Sequence, residues 1–219
     1  MKKLRWQIII IVVAIAAIAI ILLGQQPIAQ TIVPEAALGG IYFEGLVGAP
    51  SRYNPLLDFY NQVDKDVDRL IYSRLIKFDS WGNPVPELAE TWGVNVSGDV
   101  FNITLRENAK WHDGETVTTE DVLFTIDLMR DPEMPIPEDL RALWASVDVI
   151  AFDDYTIQFR LQEPYSPFID YLSIGILPAH LFIDKTVQEI INDPSNLAPV
   201  GSGPYEFEEL IVENGKVVG

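Results

Sequence analysis

"WHDGETVTTEDVLF", residues 111–124, places His112, Asp113, Glu115, Glu120 and Asp121 within its first eleven positions. A cluster this rich in titratable groups reads either as a catalytic or metal site or as a turn that starts a helix. The turn-and-helix reading accounts for each residue. Thr118 followed three positions later by Asp121 has the form of a capping box, and Glu120 and Asp121 put negative charge where the helix dipole favours it. Val122, Ile126 and Met129 recur at helical spacing and form a buried stripe, and Asp131-Pro132 marks the helix end. Asp113-Gly114 is a turn pair, with Trp111 the buried residue leading into it. A metal site would need partners that the chain does not offer at a known spacing. There are two histidines, His112 and His180, and no H-x-x-x-H or H-E-x-x-H pairing. No metal ligand and no cofactor is assigned.

The flanks extend this pattern. Before the cluster, Phe101, Ile103 and Leu105 alternate with polar neighbours, the period of a half-buried strand. After it, residues 145–164 carry two such strands around Asp153 and Asp154. Residues 79–92, "DSWGNPVPELAETW", predict a turn leading into a short helical or extended piece. Within 61–79, Val63, Val67, Leu70, Ile71 and Ile76 approach helical spacing, with the acids and bases on the opposite face. An amphipathic helix ending near Arg74 is predicted. "IYFEGLVG", 41–48, predicts a strand. Residues 165–182 predict a crossover, 184–193 a short helix stopped before Pro194, and 198–219 a Gly-rich turn, a strand and an Asn214-Gly215 hairpin turn. Gly219 falls before a returning strand could form, so a longer natural protein is expected.

Composition narrows the classes. The 219 residues are 48% hydrophobic, enough for one or two cored domains, and 32 acids against 15 bases give a formal charge of −17. Three of those bases fall within the first thirty residues, which leaves 31–219 still more acidic and makes a phosphate backbone an unfavourable partner. Nucleic acid is therefore excluded as a partner. The absence of cysteine removes disulfides, thiolate sites and a lipid-modified anchor. "MKKLRWQ" precedes sixteen apolar residues, 8–23, a length of roughly 24 Å as a helix against a hydrocarbon core of ~30 Å. A basic start before such a run directs export, either as an uncleaved membrane anchor or as a cleaved signal. Residues 1–30 are assigned to that segment and 31–40 to a linker.

No enzyme signature emerges. Ser202 in "GSG" lacks the G-x-S-x-G frame, and the same loop lacks the lysine of a phosphate loop. Asp153 and Asp154 could serve as an acid–base pair on a glycoside, but a turn between alternating strands explains them.

Taken in order, "YNPLLDF", "VDRLIYSRLIKFDSWGNPVPELAETW", "FNITLRENAKWHDGETVTTEDVLFTID", "YTIQFRLQEPYSPFIDYLS", "LPAHLF" and "PVGSGPYEF" resemble the family 5 extracellular solute-binding proteins, the peptide- and nickel-binding components of ABC importers. The likeness runs over about 41–209. It implies an α/β fold of the type II periplasmic-binding-protein kind, with two lobes, an extra subdomain inserted in the first, and a ligand enclosed by hinge closure. Residues 41–75 would begin the first lobe, 76–172 would be the subdomain and 173–219 would resume the lobe, with the second lobe missing. Mapped by position, the resemblance implies ligand contacts at Ser51, Tyr53, Tyr60, Asn61 and Gln62 and at Trp144 and Ser173. It further implies a non-enzymatic protein outside the cytoplasm, in the periplasm or at the cell surface. That protein would bind peptides or another small solute and deliver them to ABC transporter permease subunits, held at the membrane by residues 8–23. A secreted hydrolase acting on sugars or peptides, and a binding-protein-like sensor domain, are the alternatives.

Overall fold

The computed structural model describes Trp6, Val12, Ile15, residues 44–214, and Lys216, Val217 and Gly219. Met1–Gly45 and Leu46–Gly219 are separate compact units, and the helices and strands from Gln62 onward all belong to the second. Apart from Val12 and Ile15, the apolar run 8–23 lies outside the described residues, as do the whole 31–40 linker and 41–43. Among the described residues no helix is long and apolar enough to cross a membrane.

In chain order the elements are helix α1 (Gln62–Ile71), strands β1 (Ile76–Phe78), β2 (Pro84–Pro86), β3 (Ala89–Val94) and β4 (Val100–Leu105), helices α2 (Thr119–Arg130) and α3 (Glu138–Ala145), and strands β5 (Asp148–Ala151) and β6 (Thr156–Arg160). Short helices α4 (Phe168–Tyr171), α5 (Ala179–Phe182) and α6 (Val187–Ile191), a 3-10 turn at Pro194–Leu197, and strands β7 (Val212–Glu213) and β8 (Lys216–Val217) complete the chain. The mixture is α/β, as expected.

The main sheet is antiparallel in the order β3-β4-β6-β5. Its registers follow from the alternation in β4, where Phe101, Ile103 and Leu105 are buried and Asn102 and Thr104 are exposed. The β3–β4 turn is held by Asn95, whose side-chain oxygen accepts from the amides of Gly98, Asp99 and Val100. On the buried face Phe101, Trp144, Phe159 and Phe168 pack with ring centroids 4.9–6.1 Å apart, an aromatic core shared by sheet and helices. Arg130 and Arg141 fasten the α2–α3 connection. Arg130 donates to the carbonyls of Trp144 (3.1 Å) and Val147 (2.6 Å), and Arg141 to that of Met134 (2.8 Å).

The cluster at 111–124 is a turn and a cap. Thr118 and Asp121 form the capping box, and Val122, Ile126 and Met129 are buried. The short helix before Pro194 is present, with its own capping box of Thr186 and Glu189.

Four expectations are corrected. Residues 44–48 form no strand. The first helix ends at Ile71 rather than near Arg74, because the carbonyls of Leu70 and Ile71 accept from the amides of Tyr205 (3.1 Å) and Gly203 (2.7 Å) in place of a further helical turn. Ile76 then pairs with Pro86 in a β1–β2 ladder. The charged face of α1 is not uniformly outward, since Asp64 and Asp68 are buried while Leu70 is exposed. Asp64 is inside because it accepts from the amides of Ser51 (2.7 Å) and Arg52 (3.1 Å). Finally, the strand expected before the hairpin turn is confined to Val212–Glu213, and a returning strand does form after the Asn214 turn: Val212 pairs with Val217 and Glu213 with Lys216, with Asn214 at φ 52°.

Candidate functional site

The titratable cluster forms a clasp between distant segments. The Gly201 amide donates to His112 Nδ1 (3.2 Å), which leaves the ring proton on Nε2, where it is donated to the Gly203 carbonyl (3.0 Å). The His112 amide donates to the Gly201 carbonyl (2.8 Å). Loop 201–203 is thereby pressed against α1 so closely that only glycine fits. A Cβ on Gly201 would lie 1.9 Å from the Ile71 carbonyl oxygen, and one on Gly203 2.4 Å from that of Leu70.

Asp113 and Asp121 also have structural partners. Asp113 meets His180 Nε2 at 2.7 Å; burial works against its ionisation, but the His180 contact and the Glu115 amide outweigh it and lower the pKa. Asp121 accepts from the amides of Thr118 (2.9 Å) and Ala179 (2.8 Å) and from Trp111 Nε1 (3.3 Å). Burial nevertheless raises its pKa. Asp153 is exposed, accepts from the amides of Tyr155 and Thr156 and serves the β5–β6 turn. Among the described residues no group of three or more His, Asp or Glu is disposed to hold a metal ion.

A different feature has the form of a site. A cavity of about 450 Å³ opens between α1 and the segment 173–175. The buried part of its wall carries Asp58, Asp68 and Tyr72, and the more exposed part Lys65, Arg69 and Arg74. Arg74 pairs with Glu87 (3.0 Å), Arg69 reaches Asp66 (3.8 Å), and the Lys65 ammonium lies 5.8 Å from the Phe59 ring centre. Burial pushes Asp58 up to about 6, against the pull of Lys65 and Arg69. It pushes Asp68 up to about 9, reinforced by the charges of Asp58 and Asp64. Among the described residues neither carboxyl oxygen of Asp68 has a hydrogen-bond partner, and both are shut off from solvent. The Asn54 amide lies close enough to oppose this rise, though its hydrogen bond goes to the Arg52 carbonyl (3.2 Å), and the Tyr72 hydroxyl donates to the Tyr53 carbonyl (3.1 Å).

The residues expected from sequence are distributed around this region and the core. Ser173 lines the cavity, its hydroxyl donating to the Asp170 carbonyl (2.5 Å). Ser51 is tied by its amide to Asp64; Asn61 caps α1 and donates to the Ala49 carbonyl (3.1 Å); Gln62 donates to Asp66 (2.6 Å). Tyr53 is buried against Phe207, while Tyr60 is exposed. Trp144 is buried in the aromatic core, and its Nε1 has no hydrogen-bond partner among the described residues. Of the residues that line the cavity only Ser173 was expected; Asp58 and Asp68 were not. For Asp68 a signal was present in the sequence: Asp64 and Asp68 fall four apart on the face that carries Val63, Val67 and Ile71, where an acid is costly without a reason.

Comparison with known proteins accounts for the architecture. The family described as bacterial extracellular solute-binding proteins, family 5 Middle, matches residues 83–218. The oligopeptide-binding protein AppA of Bacillus subtilis is 27% identical over 179 residues, and the dipeptide-binding protein of Escherichia coli 26% identical over 182. Those alignments cover 78% and 74% of this chain but 32% and 34% of the relatives. Among solved structures, NikZ of Campylobacter jejuni in complex with Ni(L-His) superposes with a TM-score of 0.64 at 31% identity, covering 75% of this chain and 32% of that one. AppA of B. subtilis with a nonapeptide superposes with a TM-score of 0.68 at 25% identity, covering 78% and 34%. The chain thus spans about a third of the length of these relatives, and it belongs to the family 5 bacterial extracellular solute-binding proteins.

Proposed function

We propose that this chain contributes part of the solute site of an extracytoplasmic binding protein that hands peptides to the permease of an ABC importer. The family match over residues 83–218, joined to relatives named for oligopeptides and dipeptides, carries this reading. In it, 41–75 and 173–219 belong to the first lobe and 76–172 to its inserted subdomain. Of the expected contacts Ser173 lines the cavity beside α1; in this reading Ser51, Tyr53, Tyr60, Asn61 and Gln62, which precede or open α1, and Trp144 would complete the solute contacts. The apolar run 8–23 holds the protein at the outer face of the cytoplasmic membrane. The solute is bound and released unchanged, because ligand contacts act by shifting a conformational population.

Tri-alanine and maltotriose, each titrated into the full chain while thermal unfolding is followed and the solute is analysed by mass spectrometry, test the proposal. A saturable rise in Tm with tri-alanine alone, and an intact peptide, is expected. No rise with tri-alanine overturns the peptide reading, and cleavage of either solute overturns the binding-only role.

A further inference from the structure

Both histidines of the chain act at the turn 111–114, and they depend on protons in opposite ways. The His112 ring is engaged at both nitrogens with opposite polarity: Nδ1 accepts from the Gly201 amide (3.2 Å), and Nε2 donates to the Gly203 carbonyl (3.0 Å). Only the neutral ring with its hydrogen on Nε2 satisfies both. A proton added at Nδ1 sets one N–H against another, and the Gly201 amide loses its acceptor. His112 is half-buried, so the ring is not sealed from solvent. His180 is exposed, and its Nε2 lies 2.7 Å from the Asp113 carboxylate. A protonated His180 is the stronger partner for that group. Although burial opposes it, the His180 contact and the Glu115 amide hold Asp113 below the usual carboxylate range, so it keeps its charge in mild acid.

The other titratable groups around His112 have partners of their own or lie outward. Lys110 donates to Thr116, Glu115 is exposed, and Asp121 on α2 is held by Thr118, Ala179 and Trp111. Loop 201–203 and the end of α1 at Leu70 and Ile71 bring no titratable side chain. We propose that the turn 111–114 is an acid-operated latch: protonation of His112 loosens it from loop 201–203, while Asp113 and His180 keep it on α5. Imidazole is the side chain that ordinarily changes charge between about pH 5 and 8. The change is local. The loop keeps its anchors on α1 and beyond it, through the Gly203 amide on Ile71 (2.7 Å), the Tyr205 amide on Leu70 (3.1 Å) and the Ser73 hydroxyl on the Ser202 carbonyl (2.8 Å). The His112 amide, which does not titrate, still reaches the Gly201 carbonyl (2.8 Å). The latch needs no solute and stands apart from the peptide reading.

The test is NMR of the full 15N-labelled chain, taken from about pH 8 to about pH 5. Ring-nitrogen shifts, assigned with His180→Asn, report when His112 takes its proton, and hydrogen-exchange protection factors report the Gly201 and Tyr205 amides. Protonation of His112 together with a fall of about tenfold or more in Gly201 protection is expected, with Tyr205 protection unchanged. A His112 ring that stays neutral throughout, or that takes its proton with Gly201 protection intact, overturns the latch, and the parent chain alone decides this. His112→Asn adds a second check, because its side-chain oxygen can take the place of Nδ1 as acceptor but does not titrate. Gly201 should stay protected across the range in that variant. A fall as large as in the parent chain would trace the acid response to another group and overturn the latch as well.

Discussion

Replacing Asp68 by asparagine should make the protein relatively more stable as pH rises, the opposite of what loss of a useful charge would do. The folded carboxyl is pushed up to about 9 from an ordinary 3.8. Between those values the folded chain holds a proton that the unfolded chain releases, so unfolding becomes easier with each step up in pH. The stability this group contributes is whole below 3.8 and is lost progressively as pH rises toward about 9. Each pH unit inside the window corresponds to about 1.4 kcal/mol, so pH 4 to pH 7 gives an upper bound of about 4 kcal/mol. Relaxation around a buried charge reduces this, and roughly 2–3 kcal/mol is a reasonable expectation.

The Asp68→Asn variant removes the titration, while its amide, also lacking partners, costs about 1–3 kcal/mol at every pH. The variant is therefore expected to be less stable than the parent at pH 4 and to gain on it by roughly 5–10 °C in relative Tm by pH 7. Asp58, pushed up to about 6, acts in the same direction between 3.8 and about 6 in both proteins and largely cancels in the difference. Circular-dichroism melts of both chains at pH 4, 5.5, 7 and 8.5 measure this. A difference that stays flat across those pH values, or that moves against the variant as pH rises, would refute the buried, unpaired state of Asp68.

The other expectations concern the clasp and the helix start. Gly201→Ala forces a methyl to 1.9 Å from the Ile71 carbonyl oxygen, which only a shift of backbone can relieve. A loss of about 3 kcal/mol or more in urea unfolding is expected, and a change under 1 kcal/mol would show that loop 201–203 is not pressed on α1. Thr118→Ala removes one cap bond and should cost about 1 kcal/mol. Asp121→Ala strands the donors of Thr118, Trp111 and Ala179 and should cost about 3 kcal/mol or more. Equal losses for the two variants would show that Asp121 is no more than a cap.

Local pattern alone gave the elements whose determinants lie within a few residues. The capping box Thr118–Asp121, the stripe of Val122, Ile126 and Met129, the alternation of Phe101, Ile103 and Leu105, and the turns at Asp113 and Asp153 were legible because caps, periods and turns are short-range physics. The ordered run of motifs identified the family for the same reason, each motif fixing a turn or cap that the fold requires. What could not be read locally is what distant segments do to one another. The first helix stops at Ile71 because amides more than 130 residues away take its last carbonyls. His112 looked like a ligand or a turn residue and is a hydrogen-bonded clasp on loop 201–203, a role that needs Gly201 and Gly203 in place before it means anything.

Sequence determined that this is an α/β chain with an acidic body, a basic-apolar start and the framework of a solute-binding protein, since composition, period and capping act within a turn or two. Only the tertiary structure decided which of the acids on α1 would be buried. Asp64 is drawn in by the amides of Ser51 and Arg52, and Asp68 is buried one helical turn later on the same face. Burial, partner and pKa belong to the packed neighbourhood, and that neighbourhood is assembled from segments the linear pattern keeps apart.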